Sequence, residues 1–147
     1  MRVYLAGSMF TPYERAFLDD CAARLRAEGF DVFVPHEQTG LVGVDVSAEA
    51  VFAVDAGGVE SADAVLAVLD GPAVDDGTAC EIGLFHGLKQ RDPERKGVVG
   101  LLTDLRAERR GDFATNLFVR GCIDAGGGAV VDSLDDALAI LHRWRAG

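Results

Sequence analysis

Apolar positions along the chain follow two patterns in turn: short unbroken runs that suit buried strands, and stretches spaced three and four apart that suit helices. The runs are Val3 to Ala6, Phe30 to Val34, Ala64 to Leu69, Val98 to Leu102 and Ala129 to Val131. Thr11-Pro-Tyr-Glu14 reads as a helix start, with Thr at the N-cap, Pro at N1 and Glu at N3. Tyr13, Phe17 and Cys21, with Leu18 and Leu25, supply that helix with an apolar face, and Gly29 suits its end. Ser47 begins a second helix carrying Val51, Val54 and Asp55, weakened at Gly57-Gly58. Gly77-Thr78 opens a third, with Glu81 in its first turn and Ile82, Leu84, Phe85 and Leu88 behind. Phe113 to Asp124 reads as a fourth helix. Ser133 caps a last one, with Leu134, Leu138, Leu141 and Trp144 near one face. His36 to Val46 and Thr103 to Asp112 carry loop character.

Strands alternating with helices predict an α/β fold, a doubly wound, flavodoxin-like (Rossmann-like) domain with a five-stranded parallel sheet over residues 1–147. The run Ala64 to Leu69 suits a central strand covered on both faces. The turn after the first strand, Gly7-Ser-Met-Phe-Thr-Pro, matches neither a dinucleotide fingerprint nor a P-loop. No cofactor is therefore expected.

Charge narrows the partners. A formal net charge of −10 leaves little for a phosphate backbone or an anionic membrane to bind, so neither nucleic acid nor membrane is an expected partner. A small neutral or cationic ligand fits better. No run reaches a membrane span, and the N-terminal residues lack the apolar core of a signal peptide, so a cytoplasmic location is expected. Cys21, Cys80 and Cys122 are odd in number and widely spaced, which suggests neither a disulfide framework nor a zinc site. His36, His86 and His142 are scattered and carry no assigned role, and Arg106 to Arg110 read as a solvated loop.

The candidate chemistry sits in Asp70-Gly-Pro-Ala-Val-Asp-Asp-Gly-Thr-Ala-Cys-Glu81-Ile-Gly, which follows the third strand. In open α/β sheets, ligands lie beyond the carboxyl ends of the strands, against helix N-termini. A Glu in a first helical turn has its ionised form favoured by about 0.3 to 1 kcal/mol when exposed. Glu81 is therefore expected to be an anion at neutral pH, available as a nucleophile. Thr78-Ala-Cys-Glu81 also fits a capping box, in which the Glu only reaches back to its own N-cap.

Four segments resemble the nucleoside 2-deoxyribosyltransferase family. Tyr4-Leu-Ala-Gly7-Ser-Met-Phe10 is similar to its opening motif. Asp55, eight residues before Asp63, is similar to its helix aspartate ahead of Ala-Asp and a hydrophobic strand. Asp75-Asp-Gly77-Thr-Ala-Cys-Glu81-Ile-Gly83 matches its Asp-x-Gly-x-x-x-Glu-x-Gly signature, and Asn116-Leu-Phe resembles its Asn-Leu-Met segment. The likeness runs in order from Val3 to about Gly121.

The resemblance implies transfer of a 2-deoxyribosyl group between nucleobases, so that 2′-deoxyribonucleosides and free bases are the partners. It makes Glu81 the nucleophile, Asp55 the group attending the base and its proton, and Tyr4 the group that orients Glu81. Gly7, Phe10, Gln38, Asp75, Gly77 and Asn116 become substrate-binding residues, with Phe10 stacking on the base and Asp75 holding the sugar hydroxyls. Asn116 is expected to reach a neighbouring subunit's site in a dimer-based homo-oligomer. Each has a plainer alternative: Tyr4 as core, Phe10 as a hydrophobic staple, Asp55 as a solvated charge, Asp75 or Asp76 as turn formers, Asn116 as a helix cap. Two other functions compete: an N-glycosidase that passes the sugar to water, on 2′-deoxynucleosides or their 5′-monophosphates, and a binding domain without chemistry. The carboxylates at Asp75 and Asp76 favour a substrate with a free 5′-hydroxyl over a phosphate.

Overall fold

A computed structural model of the protein describes residues 1–38, 47–107, 111 and 114–147. These residues include five strands, β1 (Arg2–Ala6), β2 (Asp31–Phe33), β3 (Ala64–Val68), β4 (Val98–Leu101) and β5 (Ala129–Val131). All pair in parallel, in the order β2-β1-β3-β4-β5. This is the flavodoxin-like order expected from the alternation. The described residues also include the helices α1 (Pro12–Ala27), α2 (Ala48–Ser61), α3 (Asp76–Arg91), α4 (Leu117–Ala125) and α5 (Leu134–Ala146).

The chain steps one way across the sheet from β1 to β2, then the other way from β1 to β3, β4 and β5. Right-handed crossovers convert that reversal into helices on opposite faces. One core joins Val3, Leu5 and Leu66 to Leu18 and Leu25 of α1 and Leu138 and Leu141 of α5. The other joins Tyr4, Val65 and Ala67 to Val59, Ile82, Phe85 and Ile123 of α2, α3 and α4. Successive strand residues point to opposite faces, so odd positions of β1 meet α1 while Tyr4 meets α2 and α3. That parity decides where Tyr4 acts.

Local chemistry sets the helix ends. Thr11 and Glu14 close the expected capping box on α1, and Gly29 ends it at φ +81°, where a side chain would be strained. Ser47 and Ser133 cap α2 and α5 as read from sequence. Two starts differ. α3 begins at Asp76 with Asp75 as its N-cap, because the Asp75 carboxylate accepts from the Thr78 N–H and takes the cap that Thr78 was expected to form. α4 begins at Leu117, where Asn116 accepts from Phe118 N and Val119 N; the expected start, Phe113, lies outside the described residues. The expected loops hold a 3-10 turn at Pro35–Glu37 and a turn in which Ala107 N bonds Asp104 O; their remainders at 39–46, 108–110 and 112 lie outside the described residues. Among the described residues no helix is long and apolar enough to cross a membrane.

Gly128 is a steric requirement at the start of β5. A Cβ there would lie 1.9 Å from the Val98 carbonyl oxygen, a backbone atom that cannot swing aside. Gly128→Ala is expected to cost more than about 2 kcal/mol, read as a lowered urea midpoint at unchanged m-value.

Candidate active site

Glu81 is the sixth residue of α3, in the second turn rather than the first. It does not fold back onto its N-cap, since Asp75 fills that role. Instead, the hydroxyl of Tyr4 donates to Glu81 Oε1 at 2.5 Å. Tyr4 lies in the middle of β1, is fully buried, and reaches α3 because its position in the strand points it to that face. The bond joins residues 77 apart in sequence. One carboxylate oxygen is thus fixed by a neutral donor, while the other has no partner among the described residues.

The protonation of this pair departs from the expectation for a helix N-terminus. The Glu81 pKa is pushed up to about 7, first by burial, with the charges of Asp55 and Asp75 raising it further and the Tyr4 hydrogen bond opposing them. The dipole of α3 does not prevail over burial, and the carboxyl is divided between its two forms at neutral pH. Burial and the nearby Glu81 charge keep the Tyr4 phenol protonated well above its ordinary range. A protonated phenol is what a carboxylate needs from this position: a donor that never competes as a charge.

Asp55, on the inner side of α2, faces Glu81 across a cavity of about 590 Å³ walled by Val51, Phe52, Cys80 and Leu84. This volume lies within the range of small-molecule pockets, as does the mix of apolar walls with few polar groups. Burial raises the Asp55 pKa from its ordinary value. Its Oδ1 is buried and has no hydrogen-bond partner among the described residues. A ligand N–H or a carboxyl proton would satisfy that oxygen.

The remaining residues from the sequence reading divide. Gly77 lines the same cavity. Asp75 stands at the head of α3, near enough for its charge to raise the Glu81 pKa, with Oδ2 accepting from Thr78 N and Oγ1. Asp76 accepts from Gly77 N. Gly7 is held by packing at the end of β1, since a Cβ there would meet Leu18 Cδ2 at 2.8 Å. Phe10 is 75% exposed in the β1–α1 loop, Gln38 donates to Val34 O, and Asn116 caps α4; none of the three lines the cavity within one chain. Cys80 is exposed, whereas Cys21 and Cys122 are buried. Among the described residues no group of three or more His, Cys, Asp or Glu side chains is placed to hold a metal ion.

Two contributors were not anticipated. Phe33 stacks on the Tyr4 ring, with centroids 5.3 Å apart and planes 13° from parallel. Gly58, in α2, leaves the space in which the Phe33 ring lies. The signal was present, since two glycines inside a helix are a costly choice that points to close packing.

The likeness to known proteins follows the same frame. The structure aligns with a conserved protein from Enterococcus faecalis at a TM-score of 0.78 and 24% identity, covering 97% of this chain and 98% of that one. A 2-deoxyribosyltransferase from Bacillus psychrosaccharolyticus aligns at 0.70 and 23% identity, covering 93% and 90%. A CMP N-glycosidase from Clostridium botulinum aligns at 0.61 and 18% identity, covering 98% and 99%. At these identities the likeness is one of fold. No curated protein matches the sequence. The model of the family described as nucleoside 2-deoxyribosyltransferase matches residues 3–134, a span that takes in Tyr4, Asp55, Asp75, Glu81 and Asn116, and on that match the chain belongs to this family.

Proposed function

We propose that the protein moves the 2-deoxyribosyl group of a 2′-deoxyribonucleoside to another nucleobase, with Glu81 as the nucleophile. The observation that carries this reading is the Glu81 carboxyl itself, held at one oxygen by a buried phenol and facing a cavity it shares with Asp55. The free oxygen attacks C1′. The C1′–N bond breaks, its electron pair leaves with the base, and Asp55, across the cavity from Glu81, passes the base a proton. The sugar is then an ester of Glu81. A second base attacks C1′ from the vacated side, the ester bond breaks, and the incoming N–H proton returns to Asp55. This is the double displacement of retaining glycosidases, with a base in place of water.

Asp75 is proposed to hold the sugar hydroxyls through Oδ1, its Oδ2 being engaged by Thr78. A 5′-phosphate near Asp75 would set like charges together, at a cost of about 4 kcal/mol per pair at 4 Å near a protein surface. The reading therefore favours nucleosides over their 5′-monophosphates. Phe10, Gln38 and Gly7 are proposed contacts at the mouth of the site. Asn116 is proposed to serve a neighbouring subunit, an arrangement supported by the exposure of Leu117 and Phe118 beside it.

Incubation with deoxyinosine and free adenine tests the reading by chromatography. Deoxyadenosine is expected; free deoxyribose without it would assign the protein to N-glycosidases, and neither product would remove the proposal.

Ionisation gives a second check. The nucleophile must be deprotonated, so kcat/KM is expected to fall on the acid side with a midpoint near 7. Tyr4→Phe removes the bond that lowers the Glu81 pKa and should move that midpoint up; Asp55→Asn removes a charge that raises it and should move it down. Opposite displacements from two neighbours of one carboxyl would identify it.

Glu81→Gln is expected to reduce base exchange at least about a hundredfold. It should also change stability in one pH window. The folded pKa lies above the ordinary 4.5, so the folded protein holds the extra proton, and the stability this contributes is complete below pH 4.5 and lost as pH rises through 7. The variant should therefore match the wild type at pH 4 and exceed it above pH 7 by on the order of 3 kcal/mol, measured by urea unfolding.

A further inference from the structure

We propose that Gly58 and Phe33 are positioning residues for the Tyr4–Glu81 pair: the missing side chain at Gly58 lets α2 close onto β2, and Phe33, so confined, holds the Tyr4 ring. The inference rests on the reading of Glu81 as nucleophile. Tyr4 and Phe33 are direct register partners on neighbouring parallel strands, so their side chains leave the sheet on the same face. The Arg2 guanidinium lies 5.7 Å from the centre of the Phe33 ring. A Cβ built on Gly58 would fall 2.5 Å from Phe33 Cε1 and 2.8 Å from both Cδ1 and Cζ. No Cβ tolerates such contacts, and a rigid ring stacked on Tyr4 cannot curl aside as a long aliphatic chain would. Either Phe33 shifts, and with it the support of Tyr4, or α2 lifts from the sheet.

Gly57 supplies the contrast. It occupies the same helix with open space around its would-be Cβ, so helix propensity penalises both glycines alike while packing demands only the second. Asp55 precedes Gly58 by one turn on α2, so lifting that helix also carries Asp55 away from Glu81. The charged and titratable groups acting on Glu81 are Tyr4 from β1, Asp55 from α2 and Asp75 from the head of α3; the contact at Gly58 governs the first two. Among them the Tyr4 hydrogen bond is the strongest influence, and its loosening sets the sign of the outcome.

The test compares Gly58→Ala, Gly57→Ala, Phe33→Leu and the double variant Gly58→Ala with Phe33→Leu. Two readouts are taken on each folded protein: the Glu81 titration by carbon-13 NMR, and kcat and KM for base exchange. Gly58→Ala is expected to raise the Glu81 midpoint by about half a pH unit or more and to lower kcat at least about tenfold, with KM within about twofold. Gly57→Ala should raise the melting temperature and leave both readouts unchanged. The double variant should be no worse than Phe33→Leu alone, because the overlap is gone. A folded Gly58→Ala protein with wild-type titration and kcat would overturn the proposal. Should Gly58→Ala fail to fold, Phe33→Leu decides: it introduces no overlap, and unchanged readouts there would overturn the proposal equally. If the wild-type protein exchanges no bases at all, the functional reading falls, yet the NMR titration still answers whether Gly58 and Phe33 govern Glu81.

Discussion

Burying a carboxyl group is unfavourable unless something inside the protein replaces the water it loses, and the arrangement around Glu81 is one solution to that constraint. A neutral phenol donates to one oxygen, the other looks into a cavity, and two further carboxylates add their repulsion. The balance leaves the group poised between its acid and its anion near neutral pH. An exposed helix-end glutamate would be a more stable anion and a poorer nucleophile. Such poise would suit the proposed nucleophile, since an anion that is too well satisfied would attack slowly and a neutral acid would not attack at all.

Everything near the site is arranged by the reversal of strand order between β1 and β3. It puts α2 and α3 on one face and α1 and α5 on the other, so that the helix bearing Asp55 and the helix bearing Glu81 become neighbours across the same patch of sheet. The apolar walls come from α2 and α3, while the polar anchor comes up from the sheet beneath. Asp70 adds a brace at the carboxyl edge. Its side chain accepts from Thr103 N, Thr103 Oγ1 and Asp104 N, tying the end of β3 to that of β4 ahead of the loop that leads into α3.

The architecture was readable from local chemistry because strands and helices announce themselves by period, and caps by residue type. Thr11 with Glu14, Ser47 and Ser133 all worked at short range, where the sequence neighbours are also the spatial ones. The start of α3 was misread for a reason of the same kind: Asp75 and Thr78 are both good caps, and only the folded loop shows which one accepts. The pairing of Tyr4 with Glu81 came from a family resemblance and not from spacing, since nothing in residues 77 apart signals a contact. The raised pKa of Glu81 was beyond reach altogether, because it depends on how much protein surrounds the group. Phe33 and Gly58 escaped for a related reason: one lies in a strand and the other in a helix 25 positions away, and a glycine pair in a helix does not say which of the two is packed or against what.

The alternation along β1 has an outcome for how this chain can change over time. Val3 and Leu5 serve one core while Tyr4 serves the other, so gaining or losing a single residue ahead of Tyr4 while the pairing with β2 and β3 is kept would swap the duties of all three at once. The phenol would then be buried among the leucines of α1, and the face beneath α3 would receive an aliphatic side chain that donates nothing. Loops elsewhere can drift in length by one residue at little expense. Only even-numbered edits leave Tyr4 facing Glu81, so the parity of this strand is fixed even where its length is not.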